Sequence, residues 1–70
     1  MLKVTYTVCY ETGNDFEPTD SYNEIFYVKD NTTTTEIKAR IYEEIQSLKE
    51  LSQRVAGGDI WLGGWDFEEI

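Results

Sequence analysis

From Thr33 to Val55 the apolar residues fall at Ile37, Ile41, Ile45, Leu48, Leu51 and Val55, in steps of four, four, three, three and four. Such steps keep them on one stripe of a helix with about 3.6 residues per turn, and would scatter them over both faces of a strand. The spacing predicts a single amphipathic helix over 33–55. Thr33 followed by Glu36 has the form of a capping box, in which each side chain satisfies the other residue's backbone N–H. Gly57 and Gly58, just past the last apolar residue, supply a left-handed stop.

The other apolar positions alternate. Between residues 2 and 10, Leu2, Val4, Tyr6, Val8 and Tyr10 share one side, and Lys3, Thr5, Thr7 and Cys9 the other. That is a half-buried strand rich in β-branched and aromatic residues, with its apolar side toward the helix stripe. Residues 11–20 hold Gly13, Asn14 and Pro18, with Phe16 the single apolar residue. They predict a loop longer than a tight hairpin needs, of the kind that often carries function. A second strand over 21–29 has apolar residues on both sides, so pattern alone leaves its register open. Phe26 and Val28 are expected to face the helix, leaving Ile25 and Tyr27 on the far side.

Residues 59–67 read as a third strand, with Ile60 and Leu62 inward and Trp61 outward. Gly63-Gly64 allows either a bulge within one strand or the turn of a small hairpin. The fold class is α+β: β-β-α-β, or β-β-α-β-β in a β-grasp-like order if the glycines turn the chain. One long helix packs on one face of a small, mostly antiparallel sheet. A right-handed crossover through the helix makes the third strand parallel to the second. Lengths agree, since about 22 helical residues span roughly 33 Å, close to a strand of ten residues at about 3.3 Å each.

Composition narrows the function classes. Seventy residues form a single domain, 1–70, that buries only about 60% of its unfolded surface, so a partner's surface would add to a thin core. Fourteen acidic residues against six basic ones give a net charge of −8. Direct contact with nucleic acid or an anionic membrane is disfavoured, and a protein with a basic surface is attracted. One cysteine, Cys9, forms no internal disulfide and fits a reducing compartment. No signal sequence and no membrane-length apolar run is visible, so the chain reads as complete, soluble and cytoplasmic. Without histidine there is no Ser-His-Asp or Cys-His pair, and zinc or haem within one chain is excluded. The acids of residues 11–24 lack the spacing and central glycine of an EF-hand loop. The expectation is a non-enzymatic protein with no cofactor and no metal.

Two features point to protein binding. If the third strand is unbroken, the sheet face away from the helix carries Trp61, Trp65, Phe67, Tyr27 and Ile25. Large aromatics on an uncovered face bring much buried area at little entropic cost. A bulge at the glycines would instead turn one tryptophan into the core. The second feature is the placement of acids. Five carboxylates and no base lie between Glu11 and Glu24, and four with no base between Asp59 and Ile70. On the helix, Glu36 four before Arg40 and Glu50 four before Arg54 form balanced pairs.

Trp61, Trp65, Tyr27 and Phe67 are therefore expected at the centre of a contact, with Asp15, Glu17, Asp20, Glu24, Asp66, Glu68 and Glu69 setting register around it. Spaced carboxylates of this kind imitate a phosphate backbone and suit the basic groove of a nucleic-acid-handling protein. In general style the chain resembles the small acidic inhibitors that phages make against host enzymes and defence systems, including those that block uracil-DNA glycosylase. The alternative is a self-associating module, a homodimer joined through the open aromatic face.

Overall fold

A computed structural model describes residues 1–55 and 58–70, with side chains through residue 51 and from 58 onward. The order is β1 (Leu2–Glu11), β2 (Thr19–Val28), α1 (Thr34–Val55) and β3 (Ile60–Glu69). The strands form one sheet in the order β2-β1-β3, with β1 antiparallel to both neighbours. β3 thus runs parallel to β2 with β1 between them, and the β-β-α-β order expected from the pattern is the one found.

β1 holds the centre because its alternation is the cleanest in the chain. Leu2, Val4, Tyr6 and Val8 are buried under α1, where they meet Ile37, Ile41 and Ile45. Val4, Val8, Ile37 and Ile41 are the largest fully enclosed side chains. Each such burial contributes about 1.5–3 kcal/mol, so these few residues carry most of the stability. Phe26, Val28, Leu48, Ile60, Leu62 and Trp65 pack around this cluster. The helix lies over β1 and β3, closest to β3. It reaches β2 through Arg40, whose guanidinium sits 4.2 Å from the centre of the Phe26 ring.

The cap forms as expected. The Glu36 N–H donates to Thr33 Oγ1 and the Thr33 N–H to Glu36 Oε2, both at 3.2 Å. Glu36 is spent on this cap and Arg40 on Phe26, so the two make no ion pair with each other. Leu51 continues the stripe, about 40° around the helix from Ile37, yet it is exposed. The side chains of Val55 and of Arg54, the predicted partner of Glu50, and the stop at Gly57 lie outside the described residues. Gly58 makes a close approach, since a Cβ there would meet the Glu11 carbonyl oxygen at 3.3 Å.

β2 settles in the expected register. Val4 faces Phe26 and Leu2 faces Val28 on the helix side, and Thr5 faces Ile25 and Lys3 faces Tyr27 on the other. β3 is unbroken in chain direction but not in period. Thr7 pairs with Gly64 and Val8 with Leu62, leaving one extra residue, Gly63, in a bulge. Gly63 is required by contact: a Cβ there would lie 2.5 Å from Cys9 Sγ and 3.3 Å from Thr7 Cγ2. Its neighbour Gly64 takes a φ of 157°, which side chains rarely adopt.

Gly63→Ala is expected to cost about 1–3 kcal/mol, the usual range for overpacking. The Cys9→Ala background should return part of that loss by removing the sulfur. Urea unfolding of the two single variants and the double variant measures the coupling; strictly additive losses would mean that Cys9 is not what crowds Gly63.

Candidate protein-binding surface

The bulge decides which aromatics share a face. Ahead of it Trp61 lies opposite Cys9 on the side away from the helix, while Leu62 turns into the core. Beyond it the alternation is shifted by one, so Trp65 lies opposite Tyr6 and Phe67 opposite Val4, both on the helix side. Trp65 packs against the core, and the Phe67 ring stacks beside it at 6.1 Å and 24°. This corrects the expectation for an unbroken strand, which set Trp65 and Phe67 beside Trp61. One residue inserted into a structure of period two reverses every later side chain.

The open face therefore presents Trp61, Ile25 and Tyr27 at 37, 48 and 51% exposure. Thr5, Thr7 and Cys9 of β1 run between them, half-buried. Thr7 Oγ1 donates to Asn23 Oδ1 at 2.9 Å across the β1–β2 ladder. Nothing among the described residues lies over this face.

The acids divide between two faces and two ends. Asp66 and Glu68 stand on the open face, opposite Thr5 and Lys3. Glu68 makes a loose ion pair with Lys3 at 3.8 Å. Glu69 lies on the helix side, opposite Leu2. Asp20 and Glu24 lie on the helix side of β2, opposite Tyr10 and Tyr6. Asp15 and Glu17 sit in the connection at the far end of the sheet from Glu68 and Glu69, a separation set by a molecule 43 Å long. Among the described residues, only Glu68 of these seven is in an ion pair. The structure thus brings Trp61, Tyr27, Asp66 and Glu68 onto one face. Asp20, Glu24, Trp65, Phe67 and Glu69 belong to the opposite one.

The connection between β1 and β2 is built rather than loose. The Thr12 N–H donates to the Pro18 carbonyl at 3.0 Å, and Thr12 Oγ1 donates to the Glu17 carbonyl. Thr12 Oγ1 also accepts from Asn14 N–H at 3.0 Å, and Asn14 Oδ1 from Phe16 N–H at 2.9 Å. Gly13 supplies the one left-handed residue, with φ 77°. This frame holds Phe16 95% exposed between Asp15 and Glu17. Phe16 is an exposed apolar side chain to which sequence pattern assigned no role. Its signal was being the single apolar side chain in a polar loop.

On the helix side of β2 two tyrosines stand near carboxylates, with Arg40 close by over Phe26. The Tyr6 hydroxyl is pushed above its ordinary value by burial first, then by Glu44 and Glu24. That of Tyr22 is raised by burial and by Glu24. Among the described residues no group of three or more Asp, Glu or Cys is placed to hold a metal ion, and no helix is long and apolar enough to cross a membrane. No protein-family model matches the chain, and neither curated proteins nor solved structures show a match to it.

A tyrosine whose pKa is higher folded than unfolded holds its proton longer in the native state. Its contribution is whole below the unfolded value, 10.0, and is lost as pH rises through the folded one. Urea unfolding should therefore show stability falling above pH 10, with a shallower fall in Tyr6→Phe. An identical alkaline slope in that variant would remove Tyr6 as the cause.

Proposed function

We propose that this chain is a small, acidic, non-enzymatic binding protein that inhibits or sequesters a protein with a basic, nucleic-acid-handling surface. The observation that carries this reading is the open sheet face. Trp61, Ile25 and Tyr27 stand exposed there in a chain of net charge −8, and no second layer of described residues lies over them. An indole and a phenol on a rigid sheet give a contact its dry centre at little conformational cost. Asp66 and Glu68 on the same face, and Asp15 and Glu17 at its end, add the charge that orients a basic partner. Trp65 and Phe67 take a lesser part here, because the bulge turns them to the helix side.

Affinity capture from a bacterial lysate at low and moderate salt tests this. Wild-type protein is expected to retain basic proteins, with retention falling steeply as salt rises. Trp61→Ala should weaken the contact by at least about 2 kcal/mol, near thirtyfold. Reversing charge with Asp66→Lys and Glu68→Lys should abolish the salt dependence. If both variants retain the same proteins as wild type, the open face is not the contact surface. A dimer of the pure protein that persists at high salt and buries Trp61 would replace this reading with self-association.

A further inference from the structure

A three-stranded sheet has two outer edges, and this chain treats them differently. In β1–β2 the Thr12 N–H to Pro18 carbonyl bond makes residues 12 and 18 a hydrogen-bonded pair, and the same register continues to Leu2 and Val28. Alternation along an antiparallel ladder then points the amides of Asp20, Tyr22, Glu24, Phe26 and Val28 toward β1. Those of Ser21, Asn23, Ile25 and Tyr27 point outward. On the other side, Glu11 N–H to the Asp59 carbonyl and Ile70 N–H to the Met1 carbonyl fix the ladder of β3. The amides of Ile60, Leu62, Trp65, Phe67 and Glu69 there point away from β1.

Edges are ordinarily blunted by bulges, prolines, lysines or covering elements. β3 has its bulge at Gly63, and two of its outward amides, one near each end, are occupied by the preceding aspartate. Asp59 Oδ1 accepts from Ile60 N–H at 2.9 Å, and Asp66 Oδ1 from Phe67 N–H at 2.8 Å. β2 has one such guard, Asp20 Oδ1 on Ser21 N–H at 2.8 Å. From Asn23 to Tyr27 it has no bulge, no proline, no lysine and no partner for the outward amides among the described residues, and its one charged side chain is Glu24. The helix leans toward β3 and leaves this edge clear.

We propose that the outer edge of β2 from Asn23 to Tyr27 accepts a fourth strand from the partner, an extended segment with a lysine or arginine beside Glu24. The inference rests on the open face as the partner-binding surface, because an added strand lies next to Ile25 and Tyr27 and continues that face. Main-chain bonds at Asn23, Ile25 and Tyr27 supply affinity, and alternate side chains supply selectivity. Apolar or β-branched residues of the segment meet Ile25 and Tyr27 on one side. On the other, Glu24 stands opposite Tyr6 with no ion pair among the described residues, the nearby Arg40 lying over Phe26 instead, so a cation on the added segment has a carboxylate to meet. Charge also selects against a second copy, since pairing two β2 edges brings two chains of −8 together.

The test uses the full chain and a synthetic peptide of alternating lysine and valine, no longer than β2, followed by amide NMR. Binding is expected to slow hydrogen exchange at Asn23, Ile25 and Tyr27 and leave Ile60 and Phe67 unchanged. Ile25→Pro removes one outward N–H without touching the β1 ladder and should weaken the peptide at least tenfold. Glu24→Lys, which keeps the strand intact, should also weaken it and guards against a folding defect in the proline variant. Peptide bound with unprotected β2 amides, or bound equally by both variants, overturns the proposal. If such a peptide perturbs Trp61 instead, the open-face reading stands without the added strand. Protection of β2 that grows with protein concentration and no peptide overturns it in favour of self-pairing.

Discussion

One packing constraint governs this molecule: the side chains of β1 that face the helix must meet the stripe of α1, and there is little else to hold the chain together. Val4, Val8, Ile37 and Ile41 are the fully enclosed members of a single thin layer. Because β1 is central, its alternation is transmitted to both neighbours by direct pairing. Every side chain on β2 and β3 is therefore referred to the same two sides. A small domain cannot cover the second side, and the chain leaves it to solvent or to another protein.

The bulge is the point where this reference changes. Gly63 inserts one residue against the Thr7–Val8 step, and the strand resumes with its sides exchanged. Without it Trp61, Trp65 and Phe67 would all lie on the uncovered side, a broad apolar patch in a very small protein. With it, Trp65 packs against the thin core, Phe67 stacks beside it while remaining exposed on the helix side, and Trp61 is the aromatic that β3 leaves on the open side. At the glycine the Cys9 sulfur occupies the volume a side chain would need on the open side.

The elements were legible in the sequence because each had a period that packing then enforced. The four-four-three steps of Ile37, Ile41, Ile45 and Leu48 and the strict alternation of β1 needed no tertiary knowledge. The capping box is a local hydrogen-bond exchange and was equally visible. What could not be read was any feature depending on a neighbour. Gly63-Gly64 is compatible with a turn or a bulge until Thr7 and Val8 stand opposite it. Leu51 continues the apolar rhythm on the same stripe, yet it stays exposed, a matter of what lies opposite it that the rhythm alone does not carry. Glu36 and Arg40 have ideal spacing for an ion pair, yet each has a nearer use, one in the cap and one over Phe26. For the same reason the acids were legible as an excess but not as two separate groups on opposite sides.

Aspartates folded back onto the next amide occupy Ser21, Ile60 and Phe67 along the rims of the sheet. Each guard closes an outward N–H to a stranger's carbonyl and sets a negative charge beside it, so the same side chain that fills the rim also repels another acidic chain. Keeping its sheet at three strands in the company of its own copies thus takes this protein no added element, only an aspartate ahead of an exposed amide.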